Sequence, residues 1–410
     1  MTQLRWPSQA RVETWINTGT EVSAYYDPLL AKIIVRAPDR DAALSLLRGA
    51  LEQTQVSGFE TNLGWLRQIV DSEMFARAEL STQALASVPY ISRAVRVLTG
   101  GLATTVQDYP GRLGLWHVGV PPSGPMDSLA FRLGNRLLEN EETAAGLEIT
   151  AVGPTLAFDL ATTVCLVGAD CGAVLDDAPV QLYRATTVAP GQTLRFAKLR
   201  GPGIRAYLLF KGGLRVPKYL DSRATFTLGR FGGNAGRNLA AGDVLHLQET
   251  SSTRTGPGLP DNLHPRLTHE WRLRVLSGPH GAPDFFTAAD IEAVLEVAWK
   301  VHHNSNRTGV RLLGPKPRWA RRDGGEAGLH PSNIHDNAYA VGALDFTGDM
   351  PIILGPTALR WAGLSVRSSS SRPICGRWVS WRRAIPCNLQ PSTMQPRLSP
   401  RANRMSLSRR

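Results

Sequence analysis

The feature that most constrains the fold is a long series of short β-rich segments between residue 93 and about residue 248. Apolar and β-branched residues dominate each segment, and Gly, Pro and Asp separate one segment from the next. Short strands with turn residues between them are typical of antiparallel sheets. We therefore predict a barrel-like β domain built from VRVLTG, TLAFDL, TTVCLVG, TLRFAKL, IRAYLLF and DVLHLQE.

Helical patterns interrupt and precede this β-rich region. The segment MDSLAFRLGNRLLENEE predicts one helix inside it, with Asp127 at the start. Residues 11–70 indicate a mixed α/β unit, in which KIIVRA predicts a strand. DRDAALSLLRGALEQT carries apolar residues at the i, i+3, i+4 spacing of a packed helix, and Asp39 is positioned to cap it. TNLGWLRQIV predicts a further helix.

Strand and helix patterns alternate again after residue 265. WRLRVLSGP predicts a strand, and TAADIEAVLEVAWKVHHNS predicts a helix that continues to the histidine pair. Thr287 and Asp290 have the spacing of a capping box at its start. RTGVRLLG and AVGALDFTGDMPIILGP are β-rich, so the whole chain predicts an α+β fold that is mainly β.

The net charge of +12 belongs almost entirely to the C-terminal tail. The stretch from Thr357 to Arg410 holds eleven arginines and no lysine, aspartate or glutamate. The preceding 356 residues are therefore nearly neutral, so the overall charge does not identify what they bind.

The cysteines and the hydropathy pattern indicate the compartment. Cys165 and Cys171 lie in an apolar, strand-like stretch and are predicted to be buried thiols of a reducing compartment. No apolar run approaches the ~20 residues of a membrane-spanning helix. The N-terminus lacks the apolar core of a secretory signal. We expect a cytoplasmic protein.

Several long segments, in order along the chain, resemble a known family over roughly residues 5–356. YYDPLLAKIIV, DRDAALSLLRGAL and GFETNLGWLR are similar to the end of a biotin carboxylase C-terminal domain. The following motifs resemble the carboxyltransferase region of urea carboxylase, the component of urea amidolyase also described as allophanate hydrolase subunit 2-like. They are TTVQDYPGRLGLWHVGVPPSGPMDSLAFRLGNRLL, GLEIT, NSNRTGVRLLGPKP and GGEAGLHPSNIHDNAYAVGALDFTGDMPIILGP.

The resemblance implies a division into three parts. Residues 1–92 are expected to form a partial α/β biotin carboxylase C-terminal domain. Residues 93–356 are expected to form an antiparallel β-barrel-like, cyclophilin-like carboxyltransferase domain. Residues 357–410 are a basic tail, at which the resemblance stops.

As the resemblance implies, the family enzyme uses ATP and bicarbonate to carboxylate biotin and then passes the carboxyl group to urea, which gives allophanate. ATP would be used by one missing domain and biotin would be carried on another, so this chain alone is expected to be inactive. Its expected partners are urea and carboxybiotin, with no nucleic acid, membrane or bound metal.

The junction between the two matching regions favours urea carboxylase over related proteins. Stand-alone relatives such as the third subunit of bacterial 5-oxoprolinase share only the second region. An enzyme component of that 5-oxoprolinase type stays open as an alternative, as does a non-enzymatic regulatory module that binds a partner protein.

We interpret the tail as the product of a frameshift. The family continues Asp-Gly-Pro-Ser-Leu-Gly-Gly-Phe-Val-Cys-Pro after the point that corresponds to Pro356. Codons can be chosen for Thr357 to Arg367 so that the frame one base earlier reads those residues. A genuine basic tail that binds nucleic acid is the alternative.

Carboxyl transfer to urea requires a site that holds a small polar amide, stabilises a developing oxyanion and accepts a proton. The loop VPPSGPMD offers backbone donors at Ser123 and Gly124 before the helix that begins at Asp127. A helix N-terminus suits an anionic group, although Asp127 also fits a simple N-cap.

The motif QDYPGR presents Gln107, Asp108, Tyr109 and Arg112 around a Pro-Gly turn. So many polar side chains exceed the needs of a β-turn and predict a binding loop. A hairpin with solvated side chains is the alternative.

The motif HPSNIHDNAY concentrates Ser332, Asn333, His335 and Asp336. His335 fits a general base, but side chains of adjacent strand residues point to opposite faces, so a relay from His335 to Asp336 requires a turn. His330 and His335 have no third ligand at a metal-binding spacing, so no metal is expected.

The motif NSNRTG adds Asn304 and Arg307. Arg307 suits either a carboxylate or the end of the preceding helix, and Glu148 in GLEIT is a candidate buried acceptor. We expect Asp108, Tyr109, Ser123, Asn333 and His335 to share one cleft. The catalytic candidates are Asp108, Asn333 and His335, and the substrate-binding candidates are Gln107, Tyr109, Arg112, Ser123, Gly124, Asp127, Asn304, Arg307, Ser332 and Asp336.

Overall fold

A computed structural model describes most of the chain. It covers residues 3–23, 25–57, 60–79, 81–90, 94–248, 250, 254–334, 340–358 and, for the backbone alone, 386–391. The predictions for His335 and Asp336, and those for most of the basic tail, lie outside the described residues.

The N-terminal part contains two small antiparallel sheets and three helices, as the mixed α/β pattern predicts. One sheet pairs β1 with β4 and the other pairs β2 with β3. Asp39 caps α1 as expected, because its carboxylate accepts a hydrogen bond from the Ala42 amide at 2.8 Å. The elements are β1 (Gln3–Arg5), β2 (Arg11–Thr14), β3 (Ala31–Ile34), α1 (Arg40–Gln53), β4 (Gln55–Ser57), α2 (Leu63–Val70) and α3 (Glu73–Ala76).

The β-rich region, from β5 to β15, forms two antiparallel sheets. We call this region the first half. One has the order β11-β10-β13-β8-β5-β15 and the other β12-β9-β14-β7-β6. Neither sheet closes on itself within the described residues. The elements are β5 (Ala94–Thr99), β6 (Ala103–Gln107), α4 (Ser128–Leu137), β7 (Gly146–Thr150), β8 (Thr155–Phe158), β9 (Thr162–Gly168), β10 (Val174–Leu175), β11 (Ala178–Pro179), β12 (Ala185–Val188), β13 (Thr193–Arg195), β14 (Arg205–Phe210) and β15 (Val244–His246).

Strand β14 shows how the first half is packed. Alternate residues of a strand point to opposite faces of the sheet. Accordingly, Leu208 and Phe210 enter the apolar core between the two sheets, whereas Tyr207 and Leu209 pack beneath α4. Both faces of this strand are buried, which explains why its sequence is apolar almost throughout.

The region from β16 to β21 forms a six-stranded sheet with one helix, and we call it the second half. Its strand order is β16-β21-β17-β18-β20-β19, and its core contains Trp271, Phe286, Trp299 and Phe346. The elements are β16 (Trp271–Val275), α5 (Ala288–Glu296), β17 (Ala298–Val301), β18 (Gly309–Leu313), β19 (Leu344–Thr347), β20 (Met350–Leu354) and β21 (Pro386–Pro391).

The predicted extent of the helix before the histidine pair is wrong. Thr287 and Asp290 form the expected capping box, but α5 ends at Glu296 and the next residues are strand β17. Trp299 and Val301 point into the core while their neighbours are exposed, which is the two-residue period of a strand. His302, His303 and Arg307 therefore do not lie at a helix end.

Short 3-10 turns and a small apolar cluster complete the described structure. Trp116 and Ile352 pack against Ala343, Leu354 and Ala358, and this junction cluster joins the first half to the second. The 3-10 turns span Ala84–Ser87, Trp116–Val118, Asp261–Leu263 and Gly325–Ala327. Within the described residues, no helix is both long and apolar enough to cross a membrane.

Candidate functional site

The loop of residues 121–127, which we call the SG loop, leads into α4. Asp127 is the N-cap, because its Oδ1 accepts a hydrogen bond from the Ala130 amide at 2.9 Å. Burial raises the pKa of the Asp127 carboxyl to about 7. Ser123 and Gly124 both have positive φ, at 56° and 77°. A serine rarely adopts this conformation, so surrounding contacts must hold the loop in place.

The two expected donors of the SG loop differ in what they offer. The Ser123 amide donates to the Pro356 carbonyl at 2.8 Å, so it is already occupied. The Ser123 Oγ is buried and has no hydrogen-bond partner in the described structure. The Gly124 amide has no backbone acceptor among the described residues. The hydroxyl of Ser123 is therefore a buried donor without a partner in the described structure, and the amide of Gly124 lies next to it in the chain.

The QDYPGR motif packs directly against the SG loop. The Arg112 amide donates to the Pro122 carbonyl at 2.6 Å, and Gly111 has φ +85°. A Cβ atom on Gly111 would lie 2.3 Å from that same carbonyl oxygen, so this contact requires glycine. Two candidate motifs that are separate in sequence thus form one surface.

The side chains of this motif are used mainly for internal contacts. The Asp108 carboxylate accepts hydrogen bonds from Ser222 Oγ at 2.6 Å and from the Arg223 amide at 2.7 Å. The Arg112 guanidinium is buried and donates to the carbonyl oxygens of Tyr219 and Ala224. These contacts hold residues 219–225 against the motif.

The remaining two candidates of the motif also have internal partners. Gln107 is fully buried and donates to Thr105 Oγ1 at 3.0 Å. The Tyr109 ring lies 5.0 Å from the Arg132 guanidinium, in a cation–π contact. The alternative of a hairpin with solvated side chains is wrong for Gln107, Asp108 and Arg112, which are all buried.

Arg307 reaches from the second half into the first. Its Nη1 donates to Glu148 Oε1 and its Nη2 donates to the Gly124 carbonyl. Glu148 lies in β7, only 1% exposed. It also accepts hydrogen bonds from the Met126 amide at 2.8 Å, Tyr207 Oη at 3.0 Å and Arg205 Nε at 3.3 Å. A buried ion pair therefore connects the two halves under the SG loop.

From the sequence alone Glu148 is a candidate acceptor, whereas Arg205 and Tyr207 are not among the candidates. A local signal exists, since each is a polar residue within an otherwise apolar strand segment. Such residues require a buried partner, but neither GLEIT nor IRAYLLF indicates which residue that partner is.

The HPSN segment, residues 330–333, lies elsewhere. Ser332 Oγ lies 2.7 Å from His330 Nδ1 and accepts a hydrogen bond from the Gly348 amide at 3.2 Å, in the turn between β19 and β20. His330 Nε2 lies 3.3 Å from Asp349 Oδ1. Asn333 Nδ2 donates to the Gly328 carbonyl at 3.0 Å. These contacts hold the segment at the turn end of the hairpin.

The SG loop contacts the opposite end of that hairpin, beyond Leu354. The four residue steps from Met350 to Leu354 correspond to about 13 Å. The structure thus brings together Asp108, Arg112, Ser123, Gly124, Asp127 and Arg307, whereas Ser332 and Asn333 lie at the far end of the hairpin. Asn304 is exposed in the turn between β17 and β18. Among the described residues, no three side chains form a metal-binding group.

Comparisons with known proteins agree on one family. Residues 118–363 match the carboxyltransferase domain, subdomain A and B, and residues 1–87 match the biotin carboxylase C-terminal domain. The urea amidolyase of Saccharomyces cerevisiae is 47% identical over 360 residues, which are 86% of this chain and 20% of that protein. This chain therefore spans about a fifth of the length of that relative.

Two further relatives define the range of similarity. The crystal structure of Kluyveromyces lactis urea carboxylase matches with a TM-score of 0.88 and 44% identity, over 95% of this chain and 35% of that one. A 5-oxoprolinase subunit of Haemophilus influenzae is 38% identical over 210 residues, which are 51% of this chain and 65% of that protein.

Proposed function

Because this chain belongs to the family of carboxyltransferase domains with subdomains A and B, we propose that it transfers the carboxyl group of carboxybiotin to urea, giving allophanate. The observation that carries this proposal is the junction. A biotin carboxylase C-terminal region directly precedes the carboxyltransferase region, and the similarity to urea carboxylase extends over both. The 5-oxoprolinase subunit matches only about half of the chain. Our proposal includes a barrel-like, cyclophilin-like organisation of residues 93–356, with a separate tail at 357–410.

The proposed reaction has a simple balance. The bond between the ureido nitrogen and the carboxyl carbon breaks, a bond from that carbon to a urea nitrogen forms, and one proton moves from urea to the ureido ring. Negative charge develops on the ureido oxygen as the first bond breaks. Ser123 Oγ and the Gly124 amide are two unused donors beside each other, and they fit this oxyanion.

The remaining candidates receive roles that follow from their contacts. We assign Asp108, Gln107 and Arg112 to holding residues 219–225 beside the SG loop, because each of these side chains makes a hydrogen bond to that segment. Asn304 is proposed to bind the urea amide, because the turn before β18 lies at the end of the hairpin that the SG loop contacts. Ser332 and Asn333 receive no role beside this loop, since they lie at the far end of the hairpin. His335 is proposed as the proton acceptor with Asp336 as its neighbour, and Tyr109 as part of the substrate-binding wall.

Carboxyl transfer can be tested with a separately prepared, carboxylated biotin carrier protein. We expect the chain to form allophanate from that carrier and urea, and to form none from ATP, bicarbonate and urea alone. Ser123→Ala should lower kcat about 10²-fold, since removing one oxyanion donor has an effect of that order. Thr54→Ala, a buried threonine in the N-terminal part, is the matched control and should leave kcat unchanged.

The alternatives give different outcomes in the same assay. Turnover with 5-oxoproline but not with urea would favour a 5-oxoprolinase component. A folded chain that uses neither acceptor would overturn the proposed transfer and leave the regulatory binding module.

A further inference from the structure

Glu148 has hydrogen-bond partners on both carboxylate oxygens. Its Oε2 accepts from the Met126 amide and Tyr207 Oη, and its Oε1 accepts from Arg205 and Arg307. A buried carboxylate is stable only when paired and hydrogen-bonded in this way. Burial would raise the pKa of Glu148, but Arg307 and Arg205 hold it below its ordinary value. With both oxygens engaged, this carboxylate has no free position for substrate or a proton.

Three of the four partners of Glu148 belong to the SG loop or contact it. Met126 is part of the loop, and Tyr207 Oη accepts a hydrogen bond from the Asp127 amide at 2.8 Å. Arg307 contacts both Glu148 and the carbonyl of Gly124. One carboxylate therefore connects three backbone positions of the loop: Met126 directly, Asp127 through Tyr207 and Gly124 through Arg307.

Arg307 belongs to the second half, and its own backbone is tightly held. The Gly355 amide donates to the Thr308 carbonyl at 2.8 Å, and a Cβ atom on Gly355 would lie 2.0 Å from the Arg307 carbonyl oxygen. The backbone that carries this guanidinium is therefore held where β18 begins and β20 ends. A planar guanidinium can hold two acceptors at once, which a lysine ammonium does with poorer geometry.

We propose that Glu148 is a positioning residue for carboxyl transfer: it fixes Arg307 of the second half against the SG loop and so orients the Ser123 hydroxyl and the Gly124 amide. The inference rests on the proposed function, because those donors are assigned to the oxyanion of that reaction. A consequence is that the Ser123 and Gly124 donors are correctly oriented only when the second half, which carries Arg307, packs against the first.

The test compares Glu148→Gln, Arg307→Lys and the double variant in the carrier-dependent assay. We expect each single variant to lower kcat at least 10-fold and to change the KM for urea less than 3-fold. We expect the double variant to be no worse than the poorer single variant, because both break one connection. Asp159→Asn, which removes the partly exposed ion pair with Arg96, should leave kcat unchanged.

Hydrogen exchange gives a second readout that does not depend on turnover. In Arg307→Lys, amides of the peptide containing residues 121–127 should exchange faster, whereas those of β14 should not. Wild-type kcat or unchanged exchange in folded Arg307→Lys would overturn the positioning role. If the wild-type chain shows no transfer, the proposed function fails, and the exchange experiment still decides whether Glu148 and Arg307 hold the loop.

Discussion

Asp345 in β19 is a buried carboxyl that faces the junction between the halves. Leu344 and Phe346 on either side of it belong to the core of the second half. Asp345 pairs across the sheet with Ile352, which packs in the junction cluster on the other face. Its Oδ1 is buried without a hydrogen-bond partner in the described structure. Burial raises the pKa of Asp345 to about 8.

This raised pKa predicts how stability depends on pH. Between the ordinary pKa of 3.8 and about 8, the folded state keeps a proton that the unfolded state releases. The free energy of unfolding should therefore fall as pH rises through this range. Asp345→Asn should be more stable than the wild type at pH 8, by ~1 kcal/mol or more, which corresponds to about 2–4 °C in Tm.

Thermal unfolding at several pH values checks this prediction. The advantage of Asp345→Asn should shrink towards pH 4, where the carboxyl is protonated in the folded state and approaches its ordinary pKa of 3.8 in the unfolded state. Asp177→Asn, at a fully exposed carboxylate, should show no such trend. A Tm difference that is constant from pH 4 to pH 8 would contradict the proposed cause.

A contact of a single residue can be predicted from sequence when its partner is a near neighbour in the chain. Asp127 and Asp39 were identified as N-caps because a cap and its helix are adjacent in sequence. The use of the Ser123 amide by Pro356 and the pairing of Glu148 with Arg307 involve residues far apart, which no local pattern indicates.

Helix α5 illustrates the element scale. Its start followed from the capping box, but its end did not, because Trp299 and Val301 fit either a helix or a strand by composition. The sheet offers them burial and a backbone partner in β18, and this tertiary contact decides the outcome.

The capping box also predicts an unequal response to mutation. Thr287→Ala removes one cap and should cost about 1 kcal/mol. Asp290→Ala should cost about 2–3 kcal/mol, because Asp290 also accepts a hydrogen bond from the Arg318 amide at 2.8 Å. Denaturant unfolding, with Glu292→Ala as the control, measures both. Equal losses would contradict the second role of Asp290.

The whole molecule is mainly β, as the sequence pattern predicts. Strand β21 is the main element that this pattern does not predict. It lies between β16 and β17, parallel to the first and antiparallel to the second. The arginine-rich composition of the tail does not indicate a strand at these residues. The strand forms because the backbone groups of β16 and β17 offer hydrogen-bond partners on its two sides. The frameshift interpretation otherwise concerns residues outside the described structure.

Removing the tail provides the prediction at this scale. A chain ending at Ala358 loses the backbone partner of both β16 and β17, and unpaired strand edges promote self-association. We expect a lower Tm and a shift to larger species in size-exclusion chromatography. A shorter truncation that retains residue 391 is the control and should remain unchanged. Identical behaviour of the two truncated chains would mean that β21 does not contribute to stability.

The contacts of Arg307 also have a kinetic consequence. It meets Glu148 across 159 positions of the chain and Gly124 across 183. These contacts also cross from one half to the other, so we expect them to form only after each half has collapsed around its own core. We therefore expect the SG loop to acquire its final shape late in folding, and local opening of the boundary between the halves to disorder it before either core unfolds.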